Sequence, residues 1–203
     1  NNIDFWETEN VVSLYSIANI LKGTSITKAD TIEGDIPVVA GGKEAAYYHN
    51  IANRTGNVIT VSASGAYSGF LNYWEKPIFA SDCNTIASKD EKIISTKLIF
   101  LFLKSMQEYF YTLQRGQAQP HVYASDIEKV KIPLPSKLVQ DKILNEIDII
   151  EEKYLSGKLK IENLHNKIRL RHLALKSKAR NIYRLDDTDL FDVFIGSREI
   201  GRA

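Results

Sequence analysis

Three clusters of hydrogen-bonding side chains gather around glycines in this sequence. Lys43, Tyr47 and Tyr48 follow Gly41-Gly42; Ser62, Ser64, Tyr67 and Ser68 surround Gly65; Arg115, Gln117, Gln119 and His121 surround Gly116 and Pro120. Glycine lets a backbone approach a ligand surface closely, and these side-chain types supply the donors, acceptors and cations that read base edges and hold phosphates. The first ten of these residues other than His121 are the candidate groove contacts. Each cluster has a plainer reading beside this one. Of Tyr47 and Tyr48, one would be buried in a sheet and one exposed; Ser62 to Ser68 would be a strand and hairpin; His121, next to Pro120, is read as structural.

Catalytic chemistry finds less support. Gly41-Gly42-Lys43 lacks the upstream glycine of a phosphate-binding loop and the Ser or Thr after the lysine. No Asn or Asp stands before Pro-Pro and an aromatic, the arrangement that would hold a flipped base against a methyl donor. Asp82-Cys83, and Asp126 with Glu128 and Lys129, have no supporting His or carboxylate at convincing spacing, and His49, His121, His165 and His172 are scattered. The expectation is no catalytic centre, no metal and no cofactor.

The 203 residues, 44% of them hydrophobic, suffice for one good core and a smaller appended element. The longest apolar stretch, Leu98 to Leu103, is too short to cross a bilayer, and the single cysteine, Cys83, can form no internal disulfide. A soluble, cytoplasmic, bacterial setting is expected, with no membrane partner. The chain starts at Asn1 and its only methionine is Met106, which reads as a piece of a longer polypeptide or one that has lost its initiator. A net charge of +1 hides segregation: residues 158–184 carry nine basic side chains against Glu162 alone. Such a run is either a solvated helix face or a phosphate contact.

The elements that would position the clusters follow from periodicity and punctuation. Val11 to Leu21 reads as helix or strand. Ile36 to Ala40, Asn57 to Ser62, Phe70 to Tyr73 and Ile78 to Ala80 are short β-branched and aromatic runs between glycine turns, and predict a small curved sheet. Leu98, Phe102, Met106, Tyr109 and Leu113 recur every three or four residues, predicting one helix over 95–113. Pro133 and Pro135 forbid an internal strand and mark a domain boundary.

Beyond it, Ser136 is placed to cap a long helix. With Ile147 at heptad position a, Tyr154, Ile161, Ile168 and Leu175 share that position; Ile143, Ile150 and Leu164 fall at d, with Gly157 and Arg171 as exceptions. A seam this regular needs another helix, in the same polypeptide, a second copy or another subunit. The fold class expected is α+β: a small curved-sheet domain with packed helices over residues 1–135, a long coiled-coil helix over 136–184 and a tail over 185–203, acidic then apolar, that docks on something unnamed.

The run Gly116-Gln117-Ala118-Gln119-Pro120-His121-Val122-Tyr123, then Ile132-Pro133-Leu134-Pro135 and Gln140, resembles the end of a target-recognition domain of the Type I restriction-modification specificity-subunit family. Val61 to Phe70, with Phe79-Ala80-Ser81-Asp82-Cys83 after it, resembles the middle of the same domain, in the same order. The sequence departs at Ser136, where a second proline often follows, and at Lys137, where leucine is common. The resemblance spans about residues 10 to 180. It implies a non-catalytic module that reads double-stranded DNA and positions a separate or fused adenine methyltransferase (modification) subunit, with a restriction subunit as a further partner. It also implies a second recognition domain, or a second copy, joined through the long helix. A protein-interaction adaptor with no DNA reading is the competing interpretation, and a nuclease fragment the third.

Overall fold

A computed structural model of the chain describes residues 10–116 and 118–179, with side chains as far as Arg171. Gln117, the side chain of Leu175 and the tail over 185–203 lie outside the described residues.

The mixed α and β architecture with open curved sheets and a long C-terminal helix is the one expected. Val11 to Leu21 holds both kinds of element: β1 (Val11–Ser13), a four-residue helical turn α1 (Leu14–Ile17) and β2 (Ala18–Lys22). After a 3-10 turn at Lys28–Asp30 come β3 (Ile36–Val39), β4 (Tyr47–His49), β5 (Val58–Ser62), β6 (Leu71–Trp74), β7 (Phe79–Ala80) and β8 (Cys83–Ser88). Helices α2 (Thr96–Ser105), α3 (Gln107–Thr112) and α4 (Ala124–Ile127) precede β9 (Lys131–Pro133) and α5 (Lys137–Ala179).

Strands β2, β8, β5 and β6 form an antiparallel sheet in that order, with Ile86 of β8 opposite Ile20 on one side and Ile59 on the other. Every residue of β5 is buried, because both faces of the sheet are covered. Ile59 and Val61 join Leu71 and Ile86 against Leu98, Ile99, Leu103 and Phe110 in the main core. Val58, one residue out of phase, points the other way and packs with Val39, Ile78, Ala80 and Cys83. That second layer is the sheet β4-β3-β7, in which β3 runs antiparallel to β4 and parallel to β7. Each fully buried Leu, Ile or Phe contributes about 1.5–3 kcal/mol relative to exposure. Among the described residues β9 pairs only with β1, Val11 opposite Pro133, which is how a strand ending in proline is accommodated.

The single helix expected over 95–113 is two. Ser95 caps α2 by accepting from the Leu98 amide at 3.2 Å, but Met106 leaves the helical region at φ −101°, ψ 21° and divides α2 from α3. The break sets Gln107 against the edge of the sheet. Its Oε1 accepts from the Leu71 amide at 3.0 Å and its Nε2 donates to Gly69 O at 2.9 Å, so the helix interruption is tied to backbone groups at the start of β6.

Helix α5 is 43 residues long, about 64 Å at the usual rise. The chain divides into two compact units inside this helix, between Leu144 and Asn145. Its first turns belong to the sheet-bearing unit: Gln140 is buried and donates to Ile93 O and Pro135 O, both at 2.9 Å. Ile143 and Leu144 pack against the main core. Ile143, expected on the pairing seam, is therefore corrected to a core contact of its own domain, because the helix is clamped down at Gln140 one turn earlier. Farther along, Ile150, Tyr154, Ile161, Leu164 and Ile168 are exposed and Ile147 is half-buried. No helix among the described residues is long and apolar enough to cross a membrane.

Candidate nucleic-acid interface

The three glycine clusters converge, and main-chain atoms hold them together. Gly65 N donates to Pro120 O at 3.0 Å, Val122 N to Ala63 O at 2.9 Å, and Ala63 N to Asp82 O at 3.2 Å. Arg115 and His121 exchange both backbone bonds, 2.9 and 2.8 Å, which closes the loop over Gly116 (φ +96°) into a narrow hairpin. The Gly41-Gly42 turn joins the same knot: a Cβ on Gly41 would lie 2.6 Å from Ser64 O, so only glycine fits there. The Ser62 hydroxyl donates to Gly42 O at 3.2 Å, and the Ser64 hydroxyl donates to the Asp82 carboxylate.

That stitching reassigns several expected contacts. Ser62 and Ser68 are buried, because the register of β5 and the turn after it send both hydroxyls inward; neither can reach a groove. Ser64 is half-buried and its hydroxyl is committed to Asp82. Tyr47 is half-buried and donates its hydroxyl to Ile26 O at 2.5 Å, while its neighbour Tyr48 is exposed, as strand alternation requires. Arg115 places Nη2 2.7 Å from Asp126 Oδ1, with Lys129 3.6 Å from the same oxygen. The Asp126 side chain is only 10% exposed, that of Arg115 65%, so the guanidinium covers a buried carboxylate rather than standing free. His121 bridges Ser64 and Arg115 through its backbone and stacks on Tyr123 at 6.2 Å between ring centroids, in line with a structural role.

Lys43, Tyr48, Tyr67 and Gln119 remain exposed. Lys43 and Tyr48 help line an open cleft of about 840 Å³ whose other wall is β6 and the turn after it, including Asn72, Trp74, Glu75 and Lys76. These four were not singled out from the sequence. The signal available was the polar Asn72 within the aromatic run Leu71 to Trp74. The lining mixes cations with carboxylates, among them Glu44 and Glu75; lysines suit phosphates and carboxylates can accept from cytosine amino groups. Trp74 is fixed from behind by its Nε1, which donates to Thr60 Oγ1 at 2.9 Å.

A further cation that the sequence left unremarked is Lys104. Burial, and secondarily the charge of Lys43, lower its pKa from the ordinary lysine value. By contrast Arg54 spends its donors on the fold, reaching Thr85 Oγ1 at 2.9 Å, Asn53 O at 2.7 Å and Lys22 O at 3.0 Å. Among the described residues no three of His, Cys, Asp and Glu are grouped so as to hold a metal ion.

Comparison with known proteins accords with this architecture. The chain is similar to the crystal structure of a Type I restriction-modification system S subunit from M. genitalium, with a TM-score of 0.64 and 23% identity over 91% of this chain and 48% of that one. A structure described as showing complex assembly and conformational transition of the type I R-M system matches at a TM-score of 0.57 and 17% identity, over 81% of this chain and 43% of that one. The HsdS subunit from Thermoanaerobacter tengcongensis matches at 0.55 and 16% identity, over 76% of this chain and 40% of that one. The chain thus spans about half the length of the first of these subunits. No curated protein sequence matches it. Residues 6–165 match the family described as Type I restriction modification DNA specificity domain, and the chain belongs to that family.

Proposed function

We propose that this chain reads part of a double-stranded DNA target as the specificity component of a Type I restriction-modification system, and that it is not itself a catalyst. In this reading residues 1–135 form the reader, 136–184 the spacer and pairing helix, and 185–203 a docking tail. The observation that carries it is the convergence of the Gly41, Gly65 and Gly116 loops, the first of which runs into a cleft lined by the exposed Lys43, Tyr48 and Lys76. Family membership supplies the ligand class.

The helix supports the assembly part of the reading. Ile150, Tyr154, Ile161 and Leu164 are each more than half exposed on one chain, and such a stripe is stable only when covered. Between 141 and 152 the helix carries Asp141, Glu146, Asp148, Glu151 and Glu152 against Lys142; between 158 and 171 it carries Lys158, Lys160, Lys167, Arg169 and Arg171 against Glu162. An antiparallel partner with the same pattern, in a second copy or a second unit of a longer chain, sets acidic half against basic half; parallel pairing sets like against like. Leu155, Leu159 and Leu170 are exposed off that seam, a second stripe suited to a methyltransferase subunit, with a restriction subunit joining the same complex.

The test is the adenine methylation of the host genome, sequenced with and without this gene. Loss of methylation at one motif made of two separated half-sites is the expected result. A methylation pattern indifferent to the gene overturns the reading.

A further inference from the structure

Two lysines from distant parts of the sequence meet at one aromatic ring. Lys104, in the last turn of α2, lies with Nζ 4.2 Å from the centroid of Phe70. Lys43, from the Gly41-Gly42 loop, comes to 5.6 Å from the same ring and 5.0 Å from that of Tyr67. Cations are drawn to the faces of aromatic rings, but two of them at one ring repel each other. Neither forms an ion pair among the described residues. Lys104 is held in place: its ammonium donates to Leu71 O at 2.9 Å and to Gln107 Oε1 at 3.1 Å. Gln107 is itself anchored to Gly69 and Leu71, so the break at Met106 that positions Gln107 also fixes this cation. Two of the three ammonium hydrogens are used, and one is left over. Lys43 is exposed and, like Tyr48, lines the cleft.

We propose that Lys43 and Lys104, with Tyr67 beside them, form a clamp for a backbone phosphate of the DNA duplex at the edge of the cleft. The ligand chemistry follows from the arrangement. A compact anion with several acceptor oxygens takes hydrogen bonds from both ammonium groups at once and removes their mutual repulsion, and lysine serves phosphate as a point charge. Contacts of this kind set register and orientation on the duplex without selecting bases. The clamp therefore positions the cleft, whose exposed Glu44 and Glu75 present carboxylates capable of base discrimination. The lowered pKa of Lys104 fits a site waiting for an anion: burial and Lys43 both disfavour its charge, and a bound phosphate reverses that preference.

This inference rests on the DNA-reading proposal, and the experiment separates the two. The full chain is titrated with a mixed-sequence duplex over a series of salt concentrations, as wild type and as Lys43→Met, Lys104→Met, Lys104→Arg and Lys92→Met. Lys43→Met and Lys104→Met are each expected to lower the slope of log affinity against log salt by about one and to weaken binding alike for unrelated sequences. Lys104→Arg keeps the slope, and the surface control Lys92→Met leaves it unchanged. On addition of duplex to the wild type, the Lys104 amine, followed by NMR after reductive methylation, moves its midpoint upward. Because Lys43 is exposed, its variant decides the question even where Lys104→Met fails to fold. A wild-type chain that binds duplex, with slopes unaltered by Lys43→Met, overturns the clamp and leaves the DNA reading intact. A wild-type chain that binds no duplex at low ionic strength overturns both.

Discussion

Replacing Arg115 with methionine separates two roles that the side chain cannot fill together. Read from sequence, Arg115 is a groove contact; in the structure its Nη2 lies 2.7 Å from Asp126 Oδ1. Among the described residues Asp126 Oδ2 is buried and makes no hydrogen bond, so removal of Arg115 strands a carboxylate whose remaining cation there is Lys129 at 3.6 Å. Breaking a fully buried pair from one side costs about 3–5 kcal/mol. Here the guanidinium is 65% exposed and Lys129 still compensates, so the cost falls to about 1–2 kcal/mol. For a domain of this size that is a drop in melting temperature of about 3–8 °C. The assay is thermal and urea unfolding of Arg115→Met, Asp126→Asn and the double variant. Once the carboxylate is gone, loss of the guanidinium is expected to matter little, so the double variant recovers much of the deficit and the coupling energy is about 1 kcal/mol. Full stability in Arg115→Met together with a lowered salt slope in duplex binding would refute the structural assignment and restore the arginine to the proposed DNA-contacting surface.

Four further outcomes follow from the structure. Gly69 (φ +87°) would place a Cβ 2.6 Å from Phe110 O, whereas Gly65 (φ +81°) has open space around it. Unfolding titrations should therefore show Gly65→Ala losing about 1 kcal/mol from backbone strain alone and Gly69→Ala about 3 kcal/mol, with α3 displaced; equal losses would contradict the packing. Burial pushes the Cys83 thiol from its usual 9.0 up to about 12. The folded state then holds a proton that the unfolded chain releases, so the thiol's contribution to stability is complete below pH 9.0 and is lost as pH climbs toward about 12. The same burial predicts that iodoacetamide alkylates Cys83 only in denaturant, and rapid native labelling would count against it. Ile161 is 59% exposed on the single chain; Ile161→Asp should dissociate a paired species in sedimentation velocity, and a wild type that stays monomeric at high concentration without partners rules out self-pairing.

What could be read in advance divides along physical lines. Strands β5 and β6 announce themselves through β-branched and aromatic residues between glycine turns. Central strand β8 does not, because Asn84 and Thr85 occupy it as buried polar residues. Each has its partner, Asn84 Nδ2 on Val122 O at 3.1 Å and Thr85 Oγ1 on Leu21 O at 3.2 Å, and such tertiary partners leave no trace in periodicity. The interruption at Met106 is hidden for a similar reason: no Gly or Pro marks it, and its cause is a pair of bonds to a strand more than thirty residues upstream. In the candidate site the glycines were legible because positive φ and close approach leave few alternatives to glycine. The directions of Ser62 and Ser68 were not, since a small hydroxyl suits either face of a strand and only the register decides. Lys104 stood in plain view in an apolar helix, but its proximity to Phe70 and Lys43 depends on how α2 lies across the sheet.

The knot that joins the Gly65 and Gly116 loops is tied by amides and carbonyls of Ala63, Gly65, Asp82, Pro120 and Val122. Main-chain bonds are indifferent to which side chains their residues carry. Exposed positions such as Lys43, Tyr48, Tyr67 and Gln119 can therefore be exchanged without untying the bonds that hold the loops. On the proposed function, a lineage under pressure to acquire a new target varies its reading surface in small, individually tolerated steps, on a chassis whose geometry does not have to be reinvented each time.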